Sequence, residues 1–448
     1  MWRPLVLVLA FLRVLSPAKG LELELSDLSS LQHATSLVAD GLMDYYEGFH
    51  LGGTIGMFTN PYYWWQSGAA FGSMLDYWWY MENDTYHDAI MQAIIYQAGD
   101  NADFMPLNQT TTEGNDDQGF WGITAMAAVE RNFTNPPEDE PQWLYLAQAT
   151  VNTMWERWDL EHCNGGLRWQ IFQWNAGYNY KNTVSNACLF QLSARLARYT
   201  ANDTYITLAE EAFDWMYGAG FLTEGDWWFV YDGAFVEDNC TEIVMLQWTY
   251  NAGLMVSGCA YLANYTGDDL WLDRTENFLH GIQVFTNQSV FFEAACQGSG
   301  NCNTDQRSFK AYLARFLGLT AQMVPSTAET IMNWMNTSAV AVAQSCSGGT
   351  DGHTCGLNWL YDGWDGFYGL GEQMSALETL QNTRALVRPA PYTAQSGGSS
   401  QGDPAAGLGT KTEAVPPLKL TNADVAGAAI ITAIIGLSVI AGAIWLLL

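Results

Sequence analysis

Asp116 and Asp117 stand side by side in a glycine-flanked stretch, Glu113-Gly114-Asn115-Asp116-Asp117-Gln118-Gly119, directly before a long apolar run. Two carboxyl groups, one ionised and one protonated, are what glycoside hydrolysis requires. The N-terminus of a helix favours an anion and holds one of them ionised. The charge of that group raises the pKa of its neighbour and keeps it a proton donor. Asp-Asp before a helix is also a common cap, so the weight of the pair comes from its surroundings. Aromatic and acidic residues gather in comparable places: Tyr62-Tyr63-Trp64-Trp65-Gln66, Asn175 to Asn182, and Trp359 to Gly366. From these phrases Trp64, Gln118, Trp121, Tyr178, Asn179, Tyr180, Trp359 and Trp364 are expected to line a sugar cleft around the pair. Flat amphipathic rings are suited to that task. Asp232 joins them on its aromatic flanks and the turn Tyr231-Asp232-Gly233.

The elements that must position these residues repeat along the chain. Asn83-Asp84-Thr85-Tyr86 recurs as Asn202-Asp203-Thr204-Tyr205, each opening an amphipathic run, and Gly267-Asp268-Asp269-Leu270 opens another. With Asp27, Pro141 and Ser326 these starts are spaced by 57, 57, 62, 65 and 58 residues. Asp, Ser and Thr cap helices, and Pro suits the first turn. Each unit holds a second helical stretch that is poor in charge and rich in small residues, for example QGFWGITAMAAVE and TVSNACLFQLSARLARY. A helix apolar on nearly all sides must be buried, so its amphipathic predecessor lies outside it. Six outer–inner pairs predict an all-α fold, an (α/α)6 toroid of six helical hairpins. An open solenoid is the alternative; burial of the inner helices on both sides favours the closed ring. Short strands over 167–174 and 227–231 are expected to form hairpins at the rim. The acidic pair and the aromatic phrases then share one end of the toroid, where the inner helices begin.

Composition excludes several functions. Against 17 Lys and Arg stand 47 Asp and Glu, a formal net charge of −30. That speaks against nucleic acid as a partner and against an anionic membrane surface. No phosphate-cradling glycine loop is present. Gly398-Ser399-Ser400-Gln401-Gly402 matches a serine-hydrolase string but has neither the strand before it nor the helix after it that such a site needs. The scattered His and Cys residues make no zinc pattern, and no cofactor is expected.

Both ends read as address labels. Residues 1–20 have the basic start, apolar stretch and small-x-small end of a secretory signal. Residues 425–448 carry no charge and are followed by no Lys or Arg; with the small polar residues before them they fit a GPI attachment signal better than a tail anchor. The expected organisation is a signal over 1–20, a catalytic domain over 21–384, a Gly/Ser/Pro-rich linker with the attachment region over 385–424, and the tail. Asn422 or a small residue between Gly397 and Gly409 would serve for attachment. Sequons at Asn83, Asn108, Asn132, Asn202, Asn239, Asn264, Asn287 and Asn336 suit the secretory route. Eight cysteines allow four disulfides; Cys296/Cys302 and Cys346/Cys355 are close enough to close small loops, and Cys188 and Cys259 fall within helical stretches as candidate buried thiols.

Several phrases are more specific than these patterns: Gly114-Asn115-Asp116-Asp117-Gln118, Gly165-Gly166-Leu167-Arg168-Trp169-Gln170, Tyr180-Lys181-Asn182, Trp248-Thr249-Tyr250-Asn251 and Asp305-Gln306-Arg307-Ser308-Phe309-Lys310. In these the chain resembles glycoside hydrolase family 76, in particular the fungal GPI-anchored wall proteins described as mannan endo-1,6-α-mannosidases. The resemblance implies an (α/α)6 barrel and a retaining mechanism, with Asp116 matching the family's nucleophile and Asp117 its acid/base. It implies α-1,6-linked mannose as substrate, in mannan or in the core glycan of GPI anchors, and permits transglycosylation to wall glucan. It implies a place on the outer face of the plasma membrane or in the cell wall and chemistry that demands no metal; a monomer is expected.

Overall fold

Twelve helices alternate between an outer and an inner ring. The computed structural model describes residues 20–109, 111–225, 227–409 and 421–447; the expected signal over 1–20 lies outside them except for Gly20. The outer helices are α1 (Leu28–Met43), α3 (His87–Gln97), α5 (Trp143–Trp155), α7 (Thr204–Gly218), α9 (Asp269–Ile282) and α11 (Ala328–Ser345). The inner helices are α2 (Trp64–Met81), α4 (Asn115–Glu130), α6 (Thr183–Thr200), α8 (Thr249–Thr266), α10 (Phe309–Met323) and α12 (Leu370–Asn382). Neighbouring inner helices pack on one another around the ring, and α12 closes it against α2 and α1. The fold is the (α/α)6 toroid expected from the repeat.

Local chemistry sets the helix starts. Asp27 accepts from Ser29 N at α1 and Asp268 from Leu270 N at α9, both at 2.9 Å. Asn182 accepts from Ser185 N at α6. Such caps satisfy donors that the first turn leaves free. The small residues of the inner helices are contact surfaces. A Cβ on Gly68 would lie 2.7 Å from the Trp121 ring, and one on Gly122 would lie 2.6 Å from Thr150. Close-packed cores have no room for either.

Connections at the two ends differ. At the C-termini of the inner helices most connections are short, as at 201–203 and 267–268, with 131–142 the longest. At their N-termini the loops are long: 44–63, 98–114, 156–182, 219–248, 283–308 and 346–369. The few strands lie in them. β1 (Tyr180–Asn182), β4 (Gly233–Phe235) and β5 (Ile243–Val244) form an antiparallel sheet, with Tyr180 opposite Phe235 and Gly233 opposite Val244. β2 (Leu222–Thr223) pairs with β3 (Phe229–Val230), and β6 (Thr286–Asn287) with β7 (Val290–Phe291). The hairpin expected around 227–231 is therefore the β2–β3 pair. Residues 167–174 form no hairpin; they make single bridges from Arg168 to Lys181 and from Gln170 to Gly114.

Three disulfides join Cys163–Cys240, Cys296–Cys302 and Cys346–Cys355, and Cys188 and Cys259 are buried thiols. The first bridge ties loop 156–182 to loop 219–248. Replacing both of its cysteines by serine is expected to cost about 2–4 kcal/mol of stability. Thermal unfolding of the double variant beside the parent checks this; an unchanged Tm would show that the two loops hold each other without the bridge.

Residues 385–409, expected as linker, lie on the body. Ser400 and Ala406 are buried there, and Ser400 Oγ accepts from Leu144 N at 3.0 Å. The Gly398-to-Gly402 string is thus a packed surface segment. Considered by itself, α13 (Asn422–Leu447) is an apolar helix with one charge, Asp424, in its first turn. It is long and apolar enough to cross a membrane. All eight sequon asparagines are at least partly exposed.

Candidate active site

The long loops enclose a cavity of roughly 750 Å3 above the N-termini of the inner helices. Asp116 and Asp117 lie on its floor, in the first turn of α4. Gly114 N donates to Asp117 Oδ2 at 2.7 Å, so Asp117 folds back onto the extended backbone that begins its own helix. Asp116 points across to other elements: it accepts from Trp169 Nε1 at 3.2 Å and from Ser185 Oγ, on α6, at 3.4 Å. The two carboxyls are consecutive in sequence yet held by different neighbours. Burial pushes Asp116 up to about 7 against the pull of its hydrogen bonds. Burial raises Asp117 further, well above the ordinary carboxyl range, and the charge of Asp116 adds to that.

The residues around the pair keep it in place. Asn115 N donates to Trp169 O at 2.9 Å, and Asn115 Nδ2 to Arg168 O at 2.8 Å. Arg157 Nε, just beyond α5, donates to Asn115 Oδ1 at 2.8 Å, and its guanidinium also reaches Gln118. Lys181 is buried below this loop. Its ammonium donates to the carbonyls of Asp159, His162 and Gly165 at 2.6–3.0 Å and pairs with the Asp159 carboxylate at 3.3 Å. Loop 156–182 is thereby fastened from beneath, and it presents Trp169 to the cavity.

Of the residues expected to line the cleft, Trp64, Tyr180 and Asp232 do so. Tyr180 Oη donates to Asp232 Oδ2 at 2.7 Å. Burial raises the Asp232 carboxyl despite that bond and one from the Trp248 side chain. The others are placed elsewhere. Gln118 is fully buried and donates to Asp103 O at 2.6 Å and Thr153 Oγ1 at 2.8 Å. It braces α4 from behind. Trp121 is also fully buried, stacked on Phe104 at 5.6 Å and donating to Trp64 O at 3.3 Å. It lies one helical turn too deep to be a sugar platform, and Trp64 covers it. Tyr178 stacks on the Arg168 guanidinium at 4.5 Å, and Asn179 donates to Glu237 at 2.7 Å, both outside the lining. Trp359 lies over the Lys310 ammonium at 3.7 Å. Trp364 packs against Gly348 and donates to Phe367 O at 2.6 Å. These two rings fill the interior of loop 346–369.

The cavity holds acids that the reading of individual side chains missed. Glu113 is buried beside Asp117, with neither carboxylate oxygen hydrogen-bonded among the described residues. Burial and the Asp117 charge push it well above its ordinary value. Asp305 takes a hydrogen bond from the Trp65 side chain and is pushed up to about 6 by burial. Trp65, Trp169, Gln170, Asn182, Trp248, Tyr250 and Phe309 complete much of the wall. Most of these stand immediately before or at the start of an inner helix, which is a signal the sequence carries, whereas Trp169 and Gln170 lie within loop 156–182. Five carboxyls line the cavity, and among the described residues no lysine, arginine or histidine does.

Comparison with known proteins settles the lineage. The model of glycosyl hydrolase family 76 matches residues 30–395. The chain belongs to glycosyl hydrolase family 76. It is 62% identical to mannan endo-1,6-alpha-mannosidase DCW1 of Saccharomyces cerevisiae over 427 residues, 95% of each chain. Among solved structures it resembles Dfg5 from Chaetomium thermophilum in complex with glucosamine, with a TM-score of 0.83 and 42% identity over 86% of this chain and 97% of that one. The GH76A α-1,6-mannanase of a Salegentibacter species shares the fold, with a TM-score of 0.65 and 16% identity over 80% of this chain and 99% of that one. In this chain the toroid carries the acidic pair at the start of its second inner helix.

Proposed function

We propose that the chain is a mannan endo-1,6-α-mannosidase that cleaves α-1,6-linked mannose with retention, using Asp116 as nucleophile and Asp117 as acid/base. The observation that carries the role assignment is the unequal support of the two carboxyls. Asp116 takes hydrogen bonds from Trp169 and Ser185 at the positive end of α4, which favour its anion. Asp117 accepts one from Gly114 and sits against both Asp116 and Glu113, which favours its protonated form. In the first step Asp116 attacks the anomeric carbon while the Asp117 proton passes to the departing glycosidic oxygen. In the second step Asp117 takes a proton from water, or from a sugar hydroxyl, which then displaces Asp116. With a hydroxyl the outcome is transglycosylation, and the core glycan of a GPI anchor with wall glucan as acceptor fits that branch. The relatives' printed activity supports the linkage. The cavity's row of rings and hydrogen-bonding acids suits a sugar chain. The mature chain is placed on the outer face of the plasma membrane or in the wall by a GPI anchor. Three disulfides, the sequons and the apolar C-terminal helix support that placement.

The test is to incubate the protein with α-1,6-manno-oligosaccharides and with a GPI-core glycan and to follow new anomeric signals by NMR from the first minutes. First-formed α-anomers or longer α-linked products are expected. First-formed β-anomers would establish inversion and remove the nucleophile role of Asp116. Binding without turnover of either glycan would favour a glycan-binding wall protein.

A further inference from the structure

Two phrases of the sequence, Gly165 to Gln170 and Tyr180-Lys181-Asn182, are joined in space by one side chain. Lys181 stands on β1 with its side chain fully buried. An ammonium has three protons, and the carbonyls of Asp159, His162 and Gly165 take them. A buried cation needs a counter-charge, and Asp159 Oδ2 supplies it at 3.3 Å. The same oxygen lies 2.9 Å from Arg168 Nη2. His162 Nδ1 stands 3.2 Å from that oxygen and 2.8 Å from the Arg168 nitrogen. Burial acts to raise the Asp159 carboxyl, but Lys181, His162 and Arg168 together hold it below its ordinary value. Burial lowers Lys181 to about 8 against the pull of Asp159, so it is an ammonium in acid and at neutrality. None of these four side chains lines the cavity.

What the cluster fixes is the stretch that reaches the acidic pair. Gly166, at φ +86°, turns the chain over the Trp215 ring, where a Cβ would collide. Leu167 N donates to Asn186 Oδ1 at 2.8 Å, and Leu167 O accepts from Asn186 Nδ2 at 3.1 Å, on α6. Arg168 O accepts from Asn115 Nδ2 at 2.8 Å. Trp169 N donates to Tyr180 O at 2.7 Å, and Trp169 O accepts from Asn115 N at 2.9 Å. At the end of this stretch the Trp169 indole N–H meets Asp116 Oδ2 at 3.2 Å. The ring is 38% exposed, which leaves its aim largely to the backbone beneath it. A hydrogen bond of that length weakens steeply with any further loss of alignment, so a small slackening of the loop is enough to break it.

We propose that Lys181 and Asp159 are positioning residues for the nucleophile: through the backbone of 165–169 they hold the Trp169 N–H on Asp116 and so keep that carboxylate ionised for attack. This rests on the reading of Asp116 as nucleophile. A donor on the anion favours the anion. Without it Asp116 ionises only at higher pH, and the fraction of molecules ready to attack falls on the acid side.

Lys181→Met keeps most of the stem and removes the charge. Two readouts on the full chain test it. One is the acid limb of kcat/KM on α-1,6-manno-oligosaccharides. The other is the titration midpoint of Asp116, followed by carbon NMR of labelled aspartate carboxyls, with its signal identified by loss in Asp116→Asn. Limb and midpoint should both move to higher pH, by on the order of one unit. The kcat should fall roughly 10- to 100-fold, the range for a small misplacement at the reacting centre, with KM little changed. Trp169→Phe removes the indole donor and should raise the midpoint likewise; Lys181→Met added to it should move the midpoint no further, because both act through one bond. If Lys181→Met is not secreted, Asp159→Asn removes the counter-charge without changing shape and should move the midpoint in the same direction. A fall in Tm with the Asp116 midpoint unmoved would overturn the proposal, leaving the cluster a purely structural one. Shifts that add in the double variant would overturn it as well, since the route would not run through Trp169. A parent without turnover whose midpoint still rises in Lys181→Met would remove the mannosidase reading and uphold the hold on Asp116.

Discussion

Asp116→Asn and Asp117→Asn are each expected to lower kcat/KM on α-1,6-manno-oligosaccharides by roughly 1,000-fold or more, the range for loss of a positioned acid, base or nucleophile. That corresponds to about 4 kcal/mol of lost transition-state stabilisation. The two losses should differ in kind. An aryl glycoside of α-1,6-mannobiose has a leaving group that needs no proton. Asp117→Ala should still cleave it in the first step and then stall as a glycosyl-enzyme, giving a burst followed by slow turnover. Asp116→Ala should lose both substrates alike. A burst from the Asp116 variant and none from the Asp117 variant would exchange the roles.

Stability should move the other way. Asp116 is pushed up to about 7 in the folded chain, whereas an unfolded aspartate titrates near 3.9. Between those values the folded state binds more protons than the unfolded one, so this carboxyl destabilises the fold increasingly as pH rises from about 4 to 7. Asparagine removes that penalty. Asp116→Asn should therefore be more stable than the parent at pH 7, by on the order of 2 kcal/mol, with the gain vanishing toward pH 4. The full shift would give more, but both carboxyls open onto the cavity and its water. A Tm difference between parent and variant that stays flat from pH 4 to 8 would show that Asp116 is not held in its raised state by the fold. Strain of this sort at a functional site is the usual exchange of stability for activity.

The same site shows what sequence carries and what it leaves out. Alternating amphipathic and apolar helices at a near-constant spacing dictate the toroid, because an all-apolar helix has nowhere to go but inside. The same pattern puts Asp116 and Asp117 where an inner helix begins, at the mouth of the toroid. Depth was not legible. Trp121 follows Asp117 by one turn on the same helix, and about 5.4 Å of rise separates cavity floor from sealed core. The side of α4 that Gln118 occupies depends on which helices flank it, and it faces α5 through Thr153. Trp359 and Trp364 sit in a phrase with the composition of a binding loop, yet the loop has to fill its own interior around Lys310. Residues 385–409 have a linker's composition yet pack on the body, because glycine serves close approach and flexibility alike. Cysteine pairing across 77 residues, Cys163 to Cys240, required the loops' positions in space.

A second large effect is expected far from the chemistry, where every inner helix contributes a polar group to one buried network. Asp76 on α2 pairs with Arg131 at the end of α4 and, at 3.2 Å, with Arg315 on α10. Glu130, also at the end of α4, accepts from Arg195 on α6 at 2.6 Å and from Tyr261 on α8 at 3.0 Å. Glu378 on α12 is held by Gln381 and Asn382 at 2.9 and 2.8 Å. Three guanidiniums thus face three carboxyls, all nearly inaccessible to water. Asp76→Ala leaves Arg131 and Arg315 buried around a missing charge, which costs about 3–5 kcal/mol. With an unfolding entropy of about 2.1 cal/mol/K per residue, that lowers Tm by roughly 4–6 °C for a domain of this length. None of these side chains lines the cavity, so kcat/KM at 25 °C should stay at the parent value while Tm falls, the reverse of the pattern at Asp116. The triple change Asp76→Leu, Arg131→Met and Arg315→Met removes the charges together and should recover more than half of the loss, because a buried ion set is costly to break and cheap to replace with apolar groups of similar volume. A Tm unmoved by Asp76→Ala would mean that water or Glu378 takes over the pairing, and a triple variant less stable than Asp76→Ala would mean that the network also fixes how the six inner helices meet.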